Sequence, residues 1–93
     1  MKITRTLFKD RIEYRLNGLL HREDGPAVVY NDGTMFWYID GKIHREGNEP
    51  AIIHPDGRKY WIENGRFHRT NGPAVIHPDG YRSWSINGEY VDP

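Results

Sequence analysis

The sequence predicts an all-β protein, an antiparallel β-meander of about three and a half hairpin units in a single twisted sheet. Asn-Gly or Asp-Gly pairs recur every 23 or 24 residues, at 17–18, 40–41, 64–65 and 87–88. Short apolar runs flank each pair, as in two-residue type I′ hairpins. The chain also contains ten glycines and six prolines and lacks long helical patterns, which is typical of turns and strands.

Each unit contains the same elements in the same order. An aromatic strand leads into the hairpin pair, and a His-Arg pair follows the hairpin. A Pro-Ala pair then opens a second strand, where the missing N–H of proline does least harm, and an Asp-Gly turn ends that strand. The 93 residues therefore form one domain, with units at approximately 3–18, 19–41, 42–65 and 66–88 and a short C-terminal end at 89–93.

Period-2 alternation divides the aromatic-strand side chains between two faces. The face that we assign to the core carries Ile12, Tyr14, Leu16, Trp37, Ile39, Trp61, Trp84 and Ile86. The opposite face is polar in the terminal units but apolar in the central ones, at Phe36, Tyr38, Tyr60 and Ile62. This central apolar group is either covered by another layer or left as an exposed patch, and an exposed patch of this kind predicts an interaction surface. Glu63 interrupts the core-face pattern, either near a sheet edge or as a charge that faces a partner.

The recurring pattern Asn-Gly-x-x-His, followed by Gly and then Asp-Gly, resembles a variant of the MORN repeat, whose units are β-hairpins of about this length. The longer string Trp-x-x-Asn-Gly-x-x-His-Arg-x-x-Gly-Pro-Ala at 61–74 is similar to repeats in bacteriophage and giant-virus proteins. Ordinary MORN units have Gly after the His, where this chain has Arg22, Arg45 and Arg69, so the lipid binding ascribed to some MORN proteins is not implied. The resemblance implies scaffolding, self-association and protein contact. A phage origin would add inhibition of a host defence protein, by analogy.

Composition excludes several classes of function. Thirteen Lys and Arg residues balance thirteen Asp and Glu residues, so no overall field attracts nucleic acid or anionic lipid. The chain has no Cys, which excludes disulfides and thiolate metal sites. It also has no signal-peptide pattern and no apolar run of membrane-spanning length. We therefore expect a cytoplasmic protein, in the host cytoplasm if it is viral, without membrane or nucleic-acid partners.

The His-Arg pairs have two interpretations. As a ligand site, the residues at His21, Arg22, His44, Arg45, His68 and Arg69 would grip an anion, because guanidinium groups suit phosphates and carboxylates. As structure, each imidazole would bond to a neighbouring turn, and each guanidinium would stack on an aromatic ring or pair with a carboxylate. Equivalent histidines two strands apart are separated by about 9.6 Å, too far to share a metal ion, so we expect no metal or cofactor.

These patterns predict a non-enzymatic protein-interaction module. The chain has no Cys nucleophile, and the recurring Asp residues are explained by turns. The predicted protein-binding residues are Phe36, Tyr38, Tyr60 and Ile62, with Arg45 and Arg69 at the rim. Aromatic and arginine side chains are the ones that binding hot spots favour. A homodimer through the same surface is a nested alternative, and a sponge for a small anionic ligand such as a nucleotide is the competing one.

Overall fold

A computed structural model describes residues 2–93, in which all regular secondary structure is β-strand. The strands are β1 (Thr4–Leu7), β2 (Arg11–Leu16), β3 (Leu19–Leu20), β4 (Val28–Tyr30), β5 (Met35–Phe36), β6 (Tyr38–Ile39), β7 (Lys42–Ile43), β8 (Ile52–Ile53), β9 (Lys59–Tyr60), β10 (Ile62–Glu63), β11 (Arg66–Phe67), β12 (Val75–Ile76), β13 (Arg82–Ile86) and β14 (Glu89–Val91). This confirms the predicted fold class. No helix in the described residues has the length and apolarity needed to cross a membrane.

The strands form one open antiparallel sheet with attached hairpins. The main sheet has the order β1-β2-β4-β5-β8-β9-β12-β13-β14, with β3 paired to β2, and β6–β7 and β10–β11 form two-stranded ladders. Backbone bonds join each ladder to the hairpin before it: Gly41 donates to the Leu20 oxygen and Gly65 to the Ile43 oxygen, both at 2.8 Å. The molecule measures 41 × 26 × 17 Å. Every strand in residues 2–93 belongs to this sheet or to a ladder joined to it, so the strands form no separate second layer.

The hairpin turns have the backbone geometry that the sequence predicts. Asn64 and Gly65 have φ angles of 51° and 78°, and the pairs at 17–18, 40–41 and 87–88 are alike. Positive φ at both central residues defines the type I′ turn. Gly57, in a Pro-Asp-Gly turn, has a φ of 103°, as expected for a glycine in a left-handed position. The additional residue of the second unit lies in a loop that contains Gly47 and Asn48, both with positive φ.

The aromatic strands are interrupted at their tryptophans. Trp37 donates its N–H to the Ala51 oxygen at 2.8 Å, and its own oxygen accepts the N–H of His44 at 3.0 Å. Trp61 forms an equivalent pair of bonds. The backbone of each tryptophan thus bonds to two separate segments of the chain that returns from the hairpin, which for Trp37 are the segments at His44 and at Ala51. The residues between those parts, 45–50 in the second unit, leave the sheet as a loop, which period-2 alternation alone does not predict.

Both faces of the sheet are partly buried. Trp61 on the predicted core face is 6% exposed, but Val28 and Ile62 on the opposite face are 4% and 6% exposed. The predicted division into one buried and one exposed face was therefore too simple, because side chains on each face of a single-layer sheet cover one another. The most buried residues are the alanines of the Pro-Ala pairs, such as Ala51, which lies just before β8, accepts the N–H of Trp37 and donates to the Tyr60 oxygen.

Candidate functional site: a ring face and an arginine face

The sheet presents two chemically different faces. Cross-strand pairing of Phe36 with Ile52, and of Ile52 with Tyr60, places these side chains on one face. We call it the ring face, and it comprises Tyr30, Phe36, Tyr38, His54, Tyr60, Phe67, His77 and Tyr81. Trp37 and Trp61 alternate with these residues along the strands and therefore lie on the opposite face. We call that side the arginine face, after Arg22, Arg45 and Arg69, which stack there on aromatic rings.

Rings on the ring face touch in an unbroken series across the strands. The His54 ring lies edge-on to Phe36 and Tyr60, with centroids 6.4 and 5.9 Å away and interplanar angles of 81° and 84°. The series continues from Tyr60 to His77 at 5.9 Å and from His77 to Tyr81 at 5.2 Å. Aromatic pairs in such geometries contribute about 0.5 to 1.5 kcal/mol each beyond the area that they bury. The rings therefore hold one another in defined positions.

Most of the predicted protein-binding residues lie on this face. Phe36, Tyr38 and Tyr60 are half-buried by their neighbours and have no second layer over them. Ile62 is 6% exposed, because its strand β10 lies between β11 and the preceding hairpin, and so it is not available to a partner. Arg45 and Arg69 stack on tryptophans of the opposite face, so the structure does not bring them to the rim of the ring face.

Sequence reasoning missed Tyr30, His54 and His77. Each is the residue immediately before a turn that contains Asp-Gly, and the three recur at spacings of 24 and 23 residues. That recurrence is the sequence signal that could have identified them. They complete the series of rings along the turn end of the sheet.

One end of the ring face carries a buried carboxylate. Glu13 is 7% exposed and accepts bonds from Arg11 Nε at 2.8 Å and Arg15 Nη2 at 2.9 Å. The hydrogen bond from Arg11 is the main cause that lowers the pKa of Glu13. The Arg-x-Glu-x-Arg spacing places all three side chains on one side of β2, so this cluster was also readable from the sequence. It marks the end of the uncharged part of the ring face.

The three arginines of the arginine face have the same structural contacts. Their guanidinium carbons lie 3.9 to 4.0 Å above ring centroids: Arg22 above Tyr14, Arg45 above Trp37, and Arg69 above Trp61. Each also donates from Nη1 to a proline oxygen at the start of the next strand, at 3.0 to 3.2 Å. Stacking and charge-assisted hydrogen bonds fix each loop against the sheet. These contacts match the structural interpretation of the arginines.

Glycine allows two of these stacks to form. A Cβ at Gly72 would lie 2.8 Å from the guanidinium carbon of Arg69, and one at Gly25 would lie 3.0 Å from that of Arg22. Neither glycine has a positive φ, so a side chain there would disturb the close approach of the guanidinium and not the backbone conformation. The second unit has Glu49 at this position, in a loop that is one residue longer.

A groove lies on the arginine face, between the first and second arginine stacks. It has a volume of about 570 Å³, and Trp37 and Ile39 contribute apolar surface to it. Two arginines and one histidine line it together with three carboxylates, Glu23, Asp24 and Glu46. The three carboxylates are 81 to 89% exposed. An anionic ligand would approach more negative than positive charge, so these charges do not favour the nucleotide alternative.

The histidines of the His-Arg pairs bond to the next hairpin turn. Nδ1 of His44 accepts the N–H of Asn64 at 2.9 Å, and His21 and His68 accept from Asp40 and Asn87 in the same way. A backbone N–H can only donate, so Nδ1 is the acceptor in each of these bonds. Within residues 2–93, no group of three or more potential ligands is placed to hold a metal ion.

Comparison of the chain with protein-family models, curated proteins and solved structures found no match. The resemblance to MORN repeats therefore stays a prediction, and the geometry of the two faces is the basis for assigning a function.

Replacing Gly72 with Ala is expected to lower the free energy of unfolding by about 1 to 3 kcal/mol, because the added methyl group displaces Arg69 from Trp61 and from its proline carbonyl. Urea denaturation measures the change. Glu49→Ala is the matched control, since that position already carries a Cβ, and it is expected to change stability by less than about 0.5 kcal/mol. Equal effects of the two substitutions would contradict the role assigned to Gly72.

Replacing His44 with Ala removes the acceptor for the Asn64 N–H and is expected to cost about 0.5 to 1.5 kcal/mol of unfolding free energy. His44→Asn places an amide oxygen near the former Nδ1 position and should recover part of this loss. Amide hydrogen exchange at Asn64 provides a local measurement, with faster exchange in the alanine variant. An unchanged exchange rate would contradict the assigned bond.

Burial lowers the pKa of His54 below its ordinary value of 6.5, and nearby Arg58 acts in the same direction. Below pH 6.5 the unfolded chain therefore binds a proton at this histidine more readily than the folded chain does. The contribution of His54 to the free energy of unfolding is complete above pH 6.5 and falls as the pH is lowered. His54→Tyr, which copies the equivalent Tyr30, should give a smaller acid-induced loss of stability. Urea titrations between about pH 7.5 and pH 5 measure both slopes, and identical slopes would refute this assignment.

Proposed function

We propose that this chain is a non-enzymatic protein-interaction module whose partner binds the ring face. The observation that supports the proposal is the unbroken series of ring contacts on a sheet face that no second layer covers. Aromatic side chains are enriched among the residues that dominate binding energy. Because neighbouring rings already restrict one another, a partner would order few additional side chains on this face when it binds.

The turn carboxylates support a role without catalysis. Asp32 Oδ1 accepts the N–H of Thr34 at 2.9 Å, and Asp56 Oδ1 accepts the N–H of Arg58 at 3.0 Å. These backbone bonds are the main causes that lower the pKa of both carboxyl groups. A general acid working near neutral pH needs a raised pKa instead. The recurring Asp residues are thus explained by turn formation.

The resemblance to phage and giant-virus repeats extends the proposal to the identity of the partner. We propose that a MORN-like phage accessory protein of this kind binds a host protein, in the host cytoplasm, and inhibits it by covering a functional surface. Balanced charge is compatible with such a role, because it produces no general attraction to nucleic acid. Affinity would then depend on the ring face and on local contacts around it.

Substitution of both Phe36 and Tyr60 by Ser is expected to weaken binding of the purified partner at least about 100-fold, since hot-spot truncations cost about 2 kcal/mol or more each. The partner is first captured with the wild-type chain, and its affinity is then measured by calorimetry with purified proteins. Leu7→Ser is the matched control, because this leucine is 65% exposed and lies on the opposite side of the sheet. Circular dichroism checks that all variants fold, and wild-type affinity in a folded double variant would refute the proposal.

A further inference from the structure

We propose that the ring face recognises a proline-rich segment of its partner, flanked by Lys or Arg residues. This inference rests on the proposed function and specifies the chemistry of the partner. It is supported by the spacing of the rings across the sheet, by the hydrogen-bond donors among them and by the turn carboxylates beside them.

The spacing of the rings matches a polyproline II helix. Equivalent rings on the ring face, such as Phe36 and Tyr60, lie two strands apart. Two strand spacings are about 9.4 to 9.8 Å. A polyproline II helix advances about 3.1 Å per residue with three residues per turn, which gives about 9.3 Å per turn. A segment that crosses the strands would therefore meet an equivalent ring at every third residue.

Sheet twist limits the length of this match. Neighbouring strands rotate by about 20 to 25°, so a straight segment follows the rings for about two turns, or roughly six residues. Two such turns cover the central part of the face, where Phe36, His54 and Tyr60 pack edge to face. An interface of this size falls in the class of weak, transient contacts.

Hydrogen bonding also fits a proline-rich ligand. Polyproline II backbone has no internal hydrogen bonds, and proline residues have no N–H, so the ligand offers carbonyl oxygens to donors on the protein. The ring face supplies hydroxyl groups from Tyr30, Tyr38 and Tyr81, whereas the Tyr60 hydroxyl is already paired with Nε2 of His77 at 3.2 Å. A peptide that adds a strand would instead need a free sheet edge, which this face does not offer.

The turn carboxylates provide charge complementarity. Asp32 and Asp79 follow Tyr30 and His77 at the turn end of the ring face, and each accepts a backbone N–H of its own turn, at 2.9 and 3.0 Å. Asp32 also accepts a hydrogen bond from the side chain of Thr34. Neither forms an ion pair within residues 2–93, whereas Asp56 pairs with Arg58 at 2.9 Å. Asp32 also lies near enough to His54 for each to influence the pKa of the other. Basic residues beside the proline run would meet these two carboxylates.

Synthetic peptides test the proposal with the full chain. The first peptide has six consecutive prolines with two arginines at each end, and the second replaces the arginines with glutamates. In a third peptide, alternating Gly and Ser replace the prolines between the arginines. We expect the arginine-flanked proline peptide to bind most tightly in NMR titrations and to shift signals of Phe36, His54 and Tyr60, which lie in the ring series.

Charge-removing variants keep the fold and test the orientation of the peptide. Asp32→Asn and Asp79→Asn each retain the side-chain oxygen that accepts the turn N–H. Each should weaken binding of the arginine-flanked peptide by about 1.5- to 5-fold, and the loss should shrink as salt is added. Together the two substitutions should reduce the preference for arginine over glutamate flanks.

Several outcomes would overturn the inference. Equal binding of the Gly-Ser peptide would remove the preference for proline, and shifts confined to the arginine face would place the peptide elsewhere. A dimer that forms in sedimentation experiments and is lost when Phe36 and Tyr60 are replaced by Ser would assign the ring face to a second copy of the chain. If no peptide binds but a purified partner still requires Phe36 and Tyr60, the proposed function stands and the proline-rich inference fails.

Discussion

The rest of this structure depends on the stacking of arginine on an aromatic ring. Residues between the two pairing segments of each return strand leave the sheet, and no second layer exists to hold them. Arg45 and Arg69 connect these loops to Trp37 and Trp61 through ring stacking and through bonds to proline carbonyls. A planar guanidinium group can stack on a ring and donate to a carbonyl at the same time, whereas the compact ammonium group of lysine has no flat face to stack. The loops thus complete one face of the sheet and leave the other open.

Local turn chemistry made the fold predictable. Asn64-Gly65 and its equivalents have few alternatives to a type I′ hairpin, because both residues must adopt positive φ angles. The spacing between these turns then fixed where the strands lie in the sequence and that consecutive strands pair in antiparallel fashion. The break at Trp37 was not predictable in this way, because it depends on which backbone groups of the return strand reach the tryptophan. Burial of Ile62 on the supposedly open face follows from the same break, since β11 covers it on one side and the preceding hairpin on the other.

The candidate site could be predicted in part. Phe36, Tyr38 and Tyr60 could be placed on one face by alternation, but alternation cannot show that rings from adjacent strands touch. Placing Arg45 at the rim failed because a loop residue has no strand register, so its direction depends on tertiary contacts. Alignment of the repeat units showed which residues occupy equivalent positions. It did not show which of those residues have side chains in contact with one another.

The bond from each histidine to the next turn has a consequence for how the molecule unfolds. His44 joins its unit to Asn64, and His68 joins the following one to Asn87, so stabilising contacts run mainly between neighbours along the chain. Such an assembly behaves as a one-dimensional series in which each unit is stabilised by its contacts with the next unit. The junction with the weakest contacts between units therefore limits how cooperatively the whole chain unfolds. Weakening one junction would divide a single melting transition into two, with the parts on either side unfolding separately.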